Sequence, residues 1–89
     1  LRAVEGAEDD AMAGRQDLEA RHPHKNDVVI GISASGGAAY VVSAVETAKM
    51  HGCFTAAITC EPNSRLAQTA EQAIVLNVGP EVIAGSTRM

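Results

Sequence analysis

Aromatic residues are nearly absent from this chain, which has no tryptophan and only Tyr40 and Phe54 as aromatics. A core built from large rings is therefore excluded. Val, Ile, Leu and Ala must form it instead, as suits helices that pack closely on a parallel sheet. Long apolar runs and lipidation motifs are also missing, so we expect a cytoplasmic protein that does not associate with membranes.

Cysteine and basic residues are scarce as well. Cys53 and Cys60 flank the run FTAAIT, and if this run is a strand they lie roughly 20 Å apart. A disulfide between them is then excluded, and we expect two reduced thiols. Seven Lys and Arg stand against 11 Asp and Glu, for a net charge of -4, which argues against nucleic acid as a partner. Any anion site must be local.

The stretch 27–37, DVVIGISASGG, is the most informative part of what is present. A β-branched apolar strand ends at Ile32 and is followed by serine, alanine and glycine before a segment with helical spacing. Such a turn lets backbone N–H groups approach a ligand, and the next helix points its positive end at the same place. The pattern predicts phosphate binding. The structural alternative is that Ser35 only caps the helix.

Apolar spacing along the chain predicts an α/β fold. With 46% hydrophobic and 20% charged residues in a chain of 89, we expect at most one small globular domain. Residues 1–26 form a helix and a loop, and residues 27–89 follow a β-α-β-α-β pattern of about three parallel strands. The first strand does not alternate and is expected to be buried on both faces. The predicted helices cover 11–21, 38–51 and 65–71, and the strands cover 28–32, 54–59 and 73–78.

Three parallel strands are few for such a sheet, which needs cover on both faces and has open edges. We therefore expect part of a larger domain, truncated at both ends. In the predicted elements, Gly52 is placed to end the second helix in a left-handed conformation. Ser64 or Asn63 is placed to cap the third. The histidines of His22-Pro23-His24 lack a ligand set at metal spacing, so no metal is expected.

Three motifs in order, VVIGISASG, AITCEPNS and VGPEVIAGSTRM, resemble the sugar isomerase (SIS) domain of N-acetylmuramic acid 6-phosphate etherases. The glucokinase regulatory protein is a relative of that family. The resemblance implies a three-layer αβα parallel sheet of the flavodoxin-like, Rossmann type. It also implies a phosphorylated amino sugar as ligand, no cofactor and a homodimer. Within the family, a non-catalytic phosphosugar sensor is the alternative to an enzyme, and a remnant that only pairs with a partner strand is a third possibility.

The resemblance also implies a reaction and its residues. These etherases release D-lactate from the sugar by elimination followed by addition of water, and two glutamates carry the proton transfers. One glutamate precedes this chain, and the other matches Glu8. Carboxylates can exchange protons near neutral pH when burial or a neighbouring anion raises their pKa. Without the resemblance, the sequence favours the alternative interpretation that Glu8 is a solvated acidic residue at a helix start.

Most of the ligand residues implied by the resemblance lie in two turns that contain serine, and Glu81 lies in a Gly-Pro-Glu motif between them. The chain departs from the family pattern at Gly37-Ala38-Ala39, where Arg-Thr-Pro is usual, and at Glu61, where Asn is usual. The missing arginine removes a cation and a bidentate donor. The implied substrate-binding residues are Ser33, Ser35, Gly36, Glu81, Ser86 and Thr87.

Overall fold

The computed structural model describes residues 7–77, with side chains from Asp10 onward. Its order of elements confirms the predicted α/β pattern, and the first two strands have the predicted bounds. The first helix begins at Ala7 rather than at residue 11, and the third strand begins at Gln72 rather than at residue 73. The elements are α1 (Ala7–Glu19), β1 (Val28–Ile32), α2 (Ala39–Met50), β2 (Phe54–Thr59), α3 (Arg65–Thr69) and β3 (Gln72–Val75).

The three strands form one parallel sheet in the order β1-β2-β3. Val28 is paired with Phe54 and Ile32 with Ile58, so β1 and β2 run side by side along their whole length. Helices α2 and α3 cover one face, because the apolar cluster beneath them joins both helices to β2. That cluster is the core of the described part of the chain: Val41, Val42, Val45, Ala57, Leu66 and Ala70.

The opposite face of the sheet is open in the described part of the chain. Val28 is 63% exposed, Ile30 is 55% exposed, and Phe54 and Ile74 are 45% and 46% exposed. The prediction that β1 is buried on both faces is therefore wrong for residues 7–77. The reason is that α2 and α3 share one face, while α1 packs on α2 and adds no second layer beneath the strands. Only one of the two expected helical layers on the sheet lies within residues 7–77.

Helix α1 is held against α2 at a close crossing. A Cβ on Gly14 would lie 2.1 Å from the Tyr40 carbonyl oxygen and 2.4 Å from Ser43 Oγ, so only glycine allows this approach. Ser43 Oγ donates to the Ala11 carbonyl at 2.6 Å, and the Tyr40 hydroxyl donates to the Asp17 carboxylate at 2.5 Å. These contacts fix α1 relative to the helix that follows the serine-containing turn.

The helix ends confirm two sequence signals. Gly52, just past α2, adopts φ +83°, and the Ser64 hydroxyl caps α3 by accepting from the Ala67 N–H at 3.2 Å. Both signals are local, because a left-handed residue and a side-chain cap depend on neighbouring backbone alone. Within residues 7–77, no helix combines the length and apolar character needed to cross a membrane.

Candidate functional site

Two turns meet at the carboxyl end of the sheet. We call residues 33–37 the β1 turn and residues 61–64 the β2 turn. The pairing of β1 and β2 continues into them, because the Ser33 N–H donates to the Ile58 carbonyl at 3.0 Å and the Cys60 N–H donates to the Ala34 carbonyl at 2.9 Å. Carboxyl ends of parallel strands are where open α/β sheets bind ligands. An open cleft of about 460 Å³ lies here, lined by Ser35, Glu61, Pro62, Asn63 and Ser64.

Two serine hydroxyls organise the β1 turn. The half-buried Ser33 accepts from the Gly36 N–H at 3.1 Å, and the exposed Ser35 accepts from the Gly37 N–H at 3.2 Å. A hydroxyl that accepts one bond retains its own O–H as a donor. The backbone therefore holds both hydroxyls in place, and each hydroxyl retains a proton that it can donate.

Gly36 allows the two turns to touch. Its φ is +70°, and a Cβ there would lie 2.1 Å from Ser64 Oγ and 2.9 Å from Thr59 Oγ1. Its carbonyl accepts from the Leu66 N–H at 2.9 Å, which joins the β1 turn to α3. The residue is buried between the two turns, so a side chain at this position would force them apart.

Helix α2 starts next to the β1 turn without a side-chain cap. Its N-cap residue is Ala38, in an extended conformation, and Ala38 makes no capping hydrogen bond. Ser35 does not cap α2, but its hydroxyl accepts from the Gly37 N–H within the turn, so the contact that the structure shows for it is a local structural one. The first N–H groups of a helix lack intrahelical partners and carry partial positive charge. Such N–H groups can donate to an anion, as serine hydroxyls can.

The described lining of the cleft contains a negative charge and lacks a cation. Among the five lining residues, Glu61 is the charged one, and it is exposed. The Gly37 position, where the resembled family has arginine, is also exposed and contributes no side chain. Neutral hydroxyl and backbone donors are therefore what this part of the chain offers to an anion.

The structure brings together three of the residues predicted from sequence, namely Ser33, Ser35 and Gly36. Glu8 lies in the first turn of α1, and its side chain is outside the described part. The remaining predicted ligand residues also lie outside the described residues: Glu81, Ser86 and Thr87.

Thr59 and the contact of Ser64 with Gly36 were missed from sequence. Thr59 is the last residue of β2 and is fully buried below the two turns. A hydroxyl that ends an otherwise apolar strand is the available signal, but it does not indicate which backbone groups the hydroxyl meets. Ser64 was one of the two cap residues that the sequence offered, with Asn63, and the structure selects it. Its second contact depends on how the turns pack.

The described residues show no metal-binding arrangement. No group of three or more His, Cys, Asp or Glu side chains converges among them. His24 instead orders its own loop, because its Nδ1 accepts from the Asn26 N–H at 3.3 Å and its backbone N–H donates to the Asp27 carboxylate at 3.0 Å. This loop precedes β1 and is therefore at the opposite end of the sheet from the cleft.

Parallel strands with a serine-containing turn, a close glycine and an uncapped helix at their carboxyl ends define an α/β protein whose cleft lies where such sheets bind ligands. The family is shown by direct comparison: the chain belongs to the SIS domain family, whose model matches residues 10–89. The matched region includes both the β1 turn and the β2 turn.

Proteins from several bacteria that are similar to this chain share the name N-acetylmuramic acid 6-phosphate etherase. The chain is 54% identical over 87 residues to N-acetylmuramic acid 6-phosphate etherase 1 of Bacillus licheniformis, covering 98% of this chain and 29% of that protein. It is 53% identical over its whole length to the N-acetylmuramic acid 6-phosphate etherase of Pasteurella multocida, covering 30% of that protein. The chain therefore spans about 30% of the length of these curated relatives.

A solved structure confirms the fold. The crystal structure of a Bacillus subtilis protein assigned as a phosphosugar isomerase aligns with a TM-score of 0.65 and 25% identity. The alignment covers 85% of this chain and 30% of that protein. The three-stranded parallel sheet and its helices are thus a portion of a known SIS architecture.

Proposed function

We propose that this chain is the phosphosugar-binding portion of an N-acetylmuramic acid 6-phosphate etherase-type lyase. The observation that carries the proposal is its identity of 52–53% over the full chain with proteins of that name. The reaction would cleave the D-lactyl ether to yield N-acetylglucosamine 6-phosphate and D-lactate, as a step in recycling cell-wall amino sugars.

The β1 turn supports phosphate binding in this proposal. Ser33 and Ser35 present hydroxyl donors, and Gly36 lets the β1 turn pack directly against the β2 turn, which borders the cleft. The uncapped start of α2 adds N–H donors and the positive end of the helix dipole. Glu81, Ser86 and Thr87 complete the proposed ligand set. The missing cation at Gly37 makes the helix end and the hydroxyls the main source of affinity from residues 33–41.

Glu8 is the proposed acid/base residue of the reaction. Elimination removes the proton next to the sugar carbonyl, breaks the carbon–oxygen bond of the ether and protonates the departing lactate oxygen. Water then adds to the unsaturated sugar. Two positioned carboxyl groups suffice for these transfers, and Glu8 supplies one of them. Its helix is held to α2 by the contacts of Gly14, Ser43 and Tyr40.

The function is tested by incubating the full-length polypeptide with N-acetylmuramic acid 6-phosphate and assaying D-lactate. We expect release of D-lactate and N-acetylglucosamine 6-phosphate in equal amounts, because each ether cleaved yields one of each. Heat-denatured protein is the control. Phosphosugar binding without release would instead indicate the regulatory alternative, and the absence of both would overturn the proposal.

A homodimer in the cytoplasm belongs to the same proposal. In the described part of the chain, β1 and β3 are both edge strands, and one sheet face exposes Val28, Ile30 and Phe54. Open edges and apolar faces favour association, either with the rest of the full-length polypeptide or with a second copy. Light scattering on the full-length polypeptide should give twice the mass of one chain, and a monomer at micromolar concentration would contradict the assembly.

A further inference from the structure

The hydroxyl of Thr59 connects the two turns from below. Thr59 is 0% exposed. Its Oγ1 donates to the Ala34 carbonyl at 3.1 Å and accepts from the Glu61 N–H at 3.2 Å. Ala34 belongs to the β1 turn and Glu61 to the β2 turn, so one buried hydroxyl fixes the backbones of both.

Other contacts place the same residue at the centre of the strand ends. The Thr59 carbonyl accepts from the Leu76 N–H at 2.8 Å, which adds the segment after β3. A Cβ on Gly36 would lie 2.9 Å from Thr59 Oγ1, so the hydroxyl also lies directly against the β1 turn. Every described segment that follows a strand is therefore in contact with Thr59.

We propose that Thr59 is a positioning residue of the phosphosugar site, an inference that rests on the function proposed above. Its hydroxyl sets the spacing between Ser35 on one side of the cleft and Glu61 on the other, through the Ala34 carbonyl and the Glu61 N–H. Thr59 itself is buried and does not touch the ligand. Its effect on binding passes through the backbone that carries the serine hydroxyls.

Thr55 lies on the same strand and serves as the comparison residue, because it has no proposed role at the site. It is also 0% exposed, and its Oγ1 accepts from the Glu71 N–H at 3.0 Å. Thr55 and Thr59 are four residues apart on β2 and face the same side of the sheet. Glu71 precedes β3, so the Thr55 bond lies away from the cleft. Thr55 is therefore a matched control.

The test compares Thr59→Val, Thr59→Ser and Thr55→Val in the full-length polypeptide, with N-acetylglucosamine 6-phosphate as the calorimetric probe. Valine keeps the volume of threonine but removes both hydrogen bonds and places a methyl group where a hydroxyl contacts backbone oxygen and nitrogen. We expect Thr59→Val to raise Kd by about 10- to 100-fold, because misplacing one donor loses a hydrogen bond to the charged phosphate, and such a bond has an effect of about this size. Thr59→Ser should stay close to the wild type.

Amide hydrogen exchange supplies a second readout. The Glu61 N–H should exchange faster in Thr59→Val and remain unchanged in Thr55→Val, whereas the Glu71 N–H should show the reverse. If Thr59→Val does not fold, Thr59→Ala replaces it, because alanine removes the hydroxyl without adding a clash.

Three results would overturn the positioning role: an unchanged Kd in the variant without the hydroxyl, an equal loss in Thr55→Val, or no rescue by serine. Failure of the proposed function is recognised separately, because the wild-type protein then neither binds the phosphosugar nor releases D-lactate. Normal wild-type activity with an unchanged Thr59→Val variant refutes the positioning role alone.

Discussion

Replacing Glu8 with glutamine should lower the kcat for D-lactate release by about 10²- to 10⁴-fold, the usual contribution of one general acid or base. Glutamine preserves the length and hydrogen-bonding capacity of the side chain but has no titratable proton. KM should therefore change much less than kcat. The measurement is steady-state release of D-lactate by the full-length polypeptide with N-acetylmuramic acid 6-phosphate.

Glu19→Gln is the matched control for this experiment. Glu19 lies at the other end of α1, where its carboxylate approaches Arg15 at 3.8 Å and His51 at 3.7 Å. These partly exposed pairs contribute little to stability, and Glu19 has no proposed role in the reaction. Its variant should retain the wild-type kcat. Full activity in Glu8→Gln would remove Glu8 from the mechanism while leaving the ligand site untouched.

Replacing Gly36 with alanine should destabilise the protein by about 2–5 kcal/mol and weaken phosphosugar binding. The left-handed conformation of Gly36, with φ +70°, costs an L-residue about 1–2 kcal/mol. Overpacking against Ser64 adds about 1–3 kcal/mol, since the new Cβ would lie 2.1 Å from Ser64 Oγ. Urea unfolding measures the first effect and calorimetry with N-acetylglucosamine 6-phosphate the second.

Alanine variants at two other glycines serve as controls that distinguish the cost of the left-handed backbone from the cost of overpacking. Gly37→Ala adds a Cβ whose nearest contact is Ser35 Oγ at 3.8 Å, so stability should stay within about 0.5 kcal/mol of the wild type. Gly52→Ala has the left-handed backbone, at φ +83°, but its nearest contact is 3.5 Å away, so it should cost about 1–2 kcal/mol. A Gly36→Ala variant no less stable than Gly52→Ala would contradict the tight contact between the turns.

The bounds of β1 and β2 could be predicted from sequence because their signals are local. Each strand is a short, largely apolar run that stops at residues suited to a turn, and both runs match the structure at both ends. Gly52 and Ser64 also behave as predicted, since a left-handed residue and a helix cap act on adjacent backbone. The β1 turn was identified for the same reason.

The exposed face of β1 could not be predicted in this way. An unbroken apolar run indicates that both faces are suited to burial, but it does not state what covers each of them. Within residues 7–77, both α2 and α3 pack on one face, and Val28 and Ile30 remain exposed on the other. Which face is covered depends on where the chain crosses over, which the apolar run does not encode.

The amino-acid sequence by itself determined the order of helices and strands, the position of the serine-containing turn and the resemblance to the SIS family. These depend on neighbouring residues or on motifs in order. Only the tertiary structure decided that Gly36 lets the two turns touch and that the Thr59 hydroxyl hydrogen-bonds to both of them. The physical reason is that the hydrogen-bond partners of a buried hydroxyl are backbone groups of other segments. These groups become its neighbours only after the strands have paired.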